Sequence, residues 1–277
     1  MSAPAADGAP RAALVVLAAG DGRRSGHETN KVLLPLAGRR VFTWSLRWAG
    51  LLPEIVRTVL VIRESDRDVV TAVVAREVEQ PGLLVVPGGD TRHASEWAAL
   101  QALAPQIRSA ELEVVVIHDA ARPLAGTRLF ADVVAAAAVS GGAIPVLEQP
   151  GIAGLEAGGH PPGDRVVVVQ TPQAFAAGPL LAAYERAEAD GFVGTDTASC
   201  MERYTELPVD CVPGDPRNVK ITFPEDLFLA ERLLARSDWD LSGRDLAGRD
   251  LSGRDSSGRP DTGRRLLPLP WHRGGSS

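Results

Sequence analysis

Apolar, largely β-branched runs recur at residues 13–17, 57–62, 83–87 and 113–117. Between them, over about 41–51, 66–79, 92–104 and 127–139, apolar positions fall at the three- and four-residue spacing of helices. Runs that are apolar at consecutive positions, rather than at alternate ones, need cover on both faces. The pattern therefore predicts an α/β fold, a Rossmann-like, mostly parallel sheet flanked by helices. In such sheets ligands bind at the carboxyl ends of the strands, so the polar residues that close each run are where chemistry is expected.

The rest of the chain is more broken. Residues 1–11 read as a disordered leader, and Gln149-Pro150-Gly151 with Gly158-Gly159-His160-Pro161-Pro162-Gly163 make 148–164 a loop or reduced arm. A strand at 166–169, helices at 178–190 and 195–204, a strand at 207–212 and a helix from Pro224 to Leu234 complete a domain of residues 12–236. Beyond it, Asp240-Leu-Ser-Gly-Arg244 and its successors repeat every five residues until Arg264. Each unit offers at most one Leu to bury, so 237–277 reads as a disordered tail, or as a docking segment anchored by Leu266-Leu267-Pro268-Leu269-Pro270-Trp271.

Composition narrows the function. The chain of 277 residues is 45% hydrophobic and carries net charge −6; eight Arg against six Asp from Arg236 onward leave about −8 on the body. Duplex nucleic acid needs a basic face, so it is excluded as a partner. Cys200 and Cys211 lack metal-ligand spacing and read as buried small apolar residues. The amino-terminal segment has no basic region followed by an apolar core, and no stretch is long enough to span a bilayer, which points to the cytoplasm.

The closing residues of the strands carry the candidate chemistry. After the first run comes Ala18-Ala19-Gly20-Asp21-Gly22-Arg23-Arg24, with Lys31 beyond it. The glycines let backbone N–H groups approach an anion, and Arg24 and Lys31 can neutralise charge on a phosphoryl group. No Gly-Lys-Ser/Thr closes the loop and no ribose-binding acid follows about 20 residues on, which argues against ATPase and NAD sites. After the third run, Gly88-Gly89-Asp90-Thr91-Arg92-His93-Ala94-Ser95 offers small residues and hydrogen-bonding groups for a flat base, or else a helix start capped by Asp90.

After the fourth run, Ile117-His118-Asp119-Ala120-Ala121-Arg122-Pro123 supplies an acid for Mg²⁺ or a hydroxyl, and a cation for phosphate. The alternative is a structural Asp119–Arg122 pair, and His118 reads as a buried strand residue rather than a catalyst. Asp164-Arg165, Thr171-Pro172-Gln173, Thr195-Asp196 and Asn218-Val219-Lys220 add polar groups further on.

Taken in order, these motifs resemble the 2-C-methyl-D-erythritol 4-phosphate cytidylyltransferases, with the ribitol 5-phosphate cytidylyltransferases sharing much of the pattern. The resemblance covers residues 12–236 and is most specific at Asp119-Ala120-Ala121-Arg122-Pro123 and Asn218-Val219-Lys220-Ile221-Thr222. It implies transfer of CMP from CTP to a polyol phosphate, with Mg²⁺, in a homodimer. Ala18, Ala19, Gly20 and Gly22 would cradle CTP, and Arg24 and Lys31 would stabilise the α-phosphate. Gly88, Asp90 and Ser95 would read cytosine, and Asp119 and Ala120 would meet the ribose and metal. Arg122, Thr171 and Thr195 would line the acceptor site, with Arg165, from the neighbouring subunit, and Lys220 on the acceptor phosphate.

The chain departs from that pattern on the acceptor side. Leu147-Glu148-Gln149-Pro150-Gly151 stands where the family has Asp-Thr-x-Lys, Thr195-Asp196-Thr197-Ala198 where it has Thr-Asp-Glu-Ala, and Ser25 where it has Met. These changes leave the nucleotide half intact and fall on the acceptor half and the dimer arm.

Overall fold

The computed structural model describes residues 9–20, 30–78, 80, 82–148 and 167–236. Its elements run β1 (Ala12–Leu17), β2 (Pro35–Leu36), β3 (Arg39–Arg40), α1 (Val41–Gly50), β4 (Ile55–Ile62), α2 (Arg67–Glu77), β5 (Leu84–Pro87) and α3 (Arg92–Arg108). There follow β6 (Val114–Asp119), α4 (Gly126–Ser140), β7 (Gly142–Glu148), β8 (Val167–Val169) and β9 (Gln173–Ala176). The last are α5 (Ala177–Asp190), α6 (Thr197–Tyr204), β10 (Asp210–Pro213) and α7 (Pro224–Arg236).

The main sheet has the order β10-β7-β9-β6-β1-β4-β5, with β8 paired to β7. Its central strand β1 shows why both faces are covered. Ala12, Leu14 and Val16 enter one hydrophobic cluster with α1 and α4, while Ala13 and Val15 enter a second with α3 and α5. The period of two thus divides one apolar run between two cores.

The parallel strands β1, β4 and β5 step outward on one side of β1 and β6 pairs on its other side, so that the strand order reverses between β1 and β6. That reversal opens a crevice at the carboxyl ends of β1 and β6. Leu17 pairs with Asp119 in register, so the first and third motifs leave the sheet side by side.

Several features differ from the sequence reading, among them β7, which it did not name, and the late strand, which is Asp210–Pro213 rather than 207–212. Gln173–Ala176 form a strand, antiparallel to both β6 and β7; four residues, two of them Ala, carry no strand signal of their own, and pairing on both edges makes them one. The β2–β3 hairpin was also unforeseen, its turn made by Ala37 and Gly38, both at positive φ. Helix α6 begins at Thr197, not 195, because Asp196 caps it by accepting from the Ser199 N–H at 2.9 Å. The leader up to residue 8, most of the 148–164 loop and the tail 237–277 lie outside the described residues.

Candidate active site

The loop after β1 is fixed at both described ends. Ala18 donates its N–H to the Val61 carbonyl at 2.7 Å, and its own carbonyl accepts from Asn30 Nδ2 at 2.9 Å. Asn30 also donates to Asp66 Oδ2 at 2.9 Å, and it starts the short 3-10 helix Lys31–Leu33. Lys31 is thereby brought back to the end of β1. Arg40 supports the same turn by donating from Nη1 to the Leu33 carbonyl at 2.8 Å. Gly22 and Arg24 lie between these ends, outside the described residues.

The second motif packs against the first. A Cβ on Gly88 would lie 2.6 Å from Ala19 Cβ and 2.7 Å from Ser95 Oγ, so only glycine lets the three approach so closely. Ser95 is buried and donates to the Gly89 carbonyl, while Asp90 is exposed. The cap of α3 is Thr91, whose hydroxyl accepts from the Ala94 N–H at 3.0 Å, which corrects the expectation of Asp90 in that role. Asp90 is left facing solvent at the mouth of the loop.

The third motif is the electrostatic centre. Asp119 is 7% exposed and receives Arg92 Nη1 on Oδ1 and Lys220 Nζ on Oδ2, the latter at 2.7 Å. Burial alone would raise its pKa, but the charges of Arg92 and Lys220 outweigh it and hold the carboxyl well below the usual range. The alternative reading of a structural Asp119–Arg122 side-chain pair is therefore not what forms. Arg122 donates from Nη1 to the Asn218 carbonyl at 2.8 Å, and its buried Nε has no partner among the described residues.

Asn218, fully buried, donates to the Thr171 carbonyl at 2.9 Å, and Ile221 N–H bonds the Ala121 carbonyl at 2.8 Å. These bonds dock residues 218–221 beside the end of β6 and so deliver Lys220 to Asp119. Thr171 Oγ1 accepts from the Asp119 N–H at 3.0 Å and lies 3.2 Å from His118 Nδ1.

His118 Nε2 is 3.1 Å from the Arg122 carbonyl, which can only accept, so Nε2 carries the proton. Nδ1 is then the acceptor, and the Thr171 hydroxyl donates to it. Burial pushes the imidazole pKa down to about 3, so His118 is a neutral strut, as its sequence context suggested.

Asp119, Arg122, Thr171 and Lys220 are thus brought together, with Ala18, Ala19, Gly20, Gly88 and Ser95 on the adjoining loops. Ala120 is fully buried and gives its N–H to the Leu17 carbonyl at 3.0 Å, so it joins the two loops through the backbone. Thr195 is exposed and makes no hydrogen bond to a described residue; its neighbour Asp196 accepts from Gln173 Nε2 at 3.3 Å. Arg165 lies outside the described residues. No group of three or more His, Cys, Asp or Glu converges among the described residues. The single carboxylate of Asp119 suits a divalent cation that arrives on phosphates, since Mg²⁺ takes one or two carboxylates and leaves its other positions to water and substrate.

The sequence profile of the family described as 2-C-methyl-D-erythritol 4-phosphate cytidylyltransferase matches residues 12–236. The protein of that name from Parasynechococcus marenigrum is 39% identical over 236 residues, covering 82% of this chain and 99% of its own. That from Geobacillus kaustophilus is 36% identical over 225 residues, covering 80% and 96%. The chain belongs to the 2-C-methyl-D-erythritol 4-phosphate cytidylyltransferase family.

Among solved structures, the 4-diphosphocytidyl-2C-methyl-D-erythritol synthase of Anaerococcus prevotii matches this cytidylyltransferase family member with a TM-score of 0.68 at 29% identity, over 83% of this chain and 98% of that one. The 2-C-methyl-D-erythritol 4-phosphate cytidylyltransferase of Thermus thermophilus matches with a TM-score of 0.59 at 30% identity, over 81% and 98%. The fold expectation therefore holds.

Site residues that the sequence reading missed are Arg92, Glu96, Asn30 and Asn218. Arg92 and Asn218 stand inside quoted motifs, so a signal existed; Asn30 and Glu96 also rely on partners far off in the chain, Ala18 lying 12 residues from Asn30 and Thr197 lying 101 from Glu96.

Proposed function

We propose that this chain transfers CMP from CTP to 2-C-methyl-D-erythritol 4-phosphate, releasing pyrophosphate, in isoprenoid precursor synthesis. Family membership supports the reaction, and the observation that carries it to this chain is the Arg92–Asp119–Lys220 cluster at the crevice between β1 and β6. An acceptor phosphate oxygen attacks the α-phosphorus; that P–O bond forms as the bond to the β-phosphate breaks, and its electron pair leaves on pyrophosphate. A phosphate monoester has its second pKa near about 6, so it is mostly dianionic at neutral pH and needs no general base. That agrees with a His118 kept neutral by burial and engaged at both ring nitrogens.

The obstacle is anion meeting anion, and the cations Arg24, Lys31, Arg165 and Lys220 are the residues assigned to offset it. Gly88, Asp90 and Ser95 are assigned to the base, and Arg122, Thr171 and Thr195 to the acceptor. Mg²⁺ bound to the triphosphate, within reach of Asp119, would neutralise charge on the departing pyrophosphate. A homodimer in which Arg165 serves the neighbouring site, and a cytoplasmic location, belong to the same reading. Among the described residues no helix is long and apolar enough to cross a membrane.

The test is pyrophosphate release from CTP and Mg²⁺ with a panel of polyol phosphates. Release with 2-C-methyl-D-erythritol 4-phosphate is expected. Preference for ribitol 5-phosphate would reassign the acceptor, and CTP binding without release for any acceptor would mark a non-catalytic paralogue.

A further inference from the structure

Glu96 is 1% exposed, and three helices aim donors at its carboxylate. Arg92 Nε, one turn earlier on α3, reaches Oε1 at 3.0 Å; Thr197 Oγ1, the first residue of α6, donates to Oε1 at 2.8 Å; and the Tyr184 hydroxyl of α5 donates to Oε2. His93 stacks on Tyr184 with ring centroids 4.6 Å apart and so backs that hydroxyl. A buried carboxylate with three donors is a fixed point, and a long guanidinium bound to it loses most of its freedom.

The other end of that guanidinium is in the site. Arg92 Nη1 meets Asp119, whereas its Nη2 is buried and has no partner among the described residues. A buried cationic N–H left without an acceptor is a strong demand for an anion.

We propose that Glu96, fixed by Tyr184 and Thr197, is a positioning residue that holds Arg92 against Asp119 and turns the Arg92 Nη2 toward a phosphate oxygen of the bound nucleotide. This rests on the reading of the crevice as a nucleotide site. It also accounts for the departure at position 197. The family pattern has Glu there, and in this chain the Thr197 hydroxyl lies 2.8 Å from a carboxylate supplied by residue 96 instead. The carboxylate that Thr197 meets is thus carried by α3, where it stands beside Arg92.

The experiment compares the full chain with Glu96→Gln, Glu96→Thr and the swap Glu96→Thr/Thr197→Glu, measuring the affinities for CTP with Mg²⁺ and for cytidine, kcat, KM and Tm. Glu96→Gln is expected to keep Tm within a few degrees and to leave cytidine affinity unchanged, because cytidine has no phosphate. CTP affinity and kcat/KM should each fall on the order of tenfold. The swap should recover most of the CTP affinity lost in Glu96→Thr. A packing role alone would weaken cytidine and CTP together. Equal losses for both ligands, or a swap no better than Glu96→Thr, overturns the proposal. Because the affinities need no turnover, a wild-type chain that binds CTP but releases no pyrophosphate defeats the proposed reaction while the CTP-to-cytidine ratio still tests Glu96; a wild-type chain that binds no CTP removes both.

Discussion

Arg92 and Lys220 meet opposite oxygens of one carboxylate, yet the chain delivers them by different means. Arg92 sits on the first turn of α3 and is held by charge, through the buried Glu96 and its hydroxyl partners. Lys220 sits on an irregular segment held by amides, through Asn218 and the Ile221 N–H to Ala121. The first arrangement concentrates its specificity in one buried carboxyl group and is vulnerable to any change in that group. The second is spread over neutral hydrogen bonds and tolerates a change of the ammonium itself, which is nearly half exposed at 44%. A cation that must keep one geometry is anchored by a charge, and a cation free to adapt is anchored by its backbone.

The largest test of this contrast is Lys220→Ala. Removing one preorganised donor from a developing anion costs about 10²–10³-fold in kcat, and the amide scaffold should leave Tm almost unchanged. A large fall in Tm would show that the ammonium, not Asn218, holds the segment. Next in size is Asn218→Ala, which strands the Thr171 carbonyl inside the protein; a stability loss of about 1–3 kcal/mol in urea unfolding is expected, with activity falling alongside.

Gly88→Ala addresses the Arg92 side. Its new methyl group meets Ala19 and Ser95, an overpacking that costs about 1–3 kcal/mol and moves the start of α3 away from β1. Activity should fall more than in a matched variant at Gly178, where a Cβ would meet nothing within 4 Å. Equal effects at the two positions would mean that the close approach does not matter to the site.

The smallest effect is a slope. His118 is neutral when folded, with a pKa pushed down by burial to about 3 from an ordinary value of 6.5. Between those values the unfolded chain binds a proton that the folded chain refuses, so stability is lost as pH falls, by up to about 1.4 kcal/mol per pH unit from this group. Asp119 stays ionised in the folded protein through this window. Urea unfolding of His118→Asn between pH 7 and 5 should show a shallower dependence than wild type. An unchanged slope would assign the acid sensitivity to other groups.

Much of this was legible in the chain. Consecutive apolar residues within β1, β4 and β6 state a sheet buried on both faces, and Gly20, Gly88 and Asp119, at or beyond the strand ends, announce the crevice because strand ends are where such sheets can expose polar groups. The antiparallel β9 and the part played by Glu96 were not legible. Ala174 and Ala176 have little intrinsic strand preference, and a Glu on a helix four residues after an Arg reads as a solvated surface pair until Tyr184 and Thr197 close over it.

The sequence by itself determined the layered architecture, the motifs at the strand ends and the family they point to, since these rest on local periodicity and on residue types that chemistry requires. The tertiary structure alone decided which charges meet. Asp119 takes its partners from positions 92 and 220 rather than from Arg122, three residues away. Docking 218–221 against Ala121 and covering Glu96 with α5 and α6 set those distances, and the strength of an ionic contact depends on distance and burial rather than on separation along the chain.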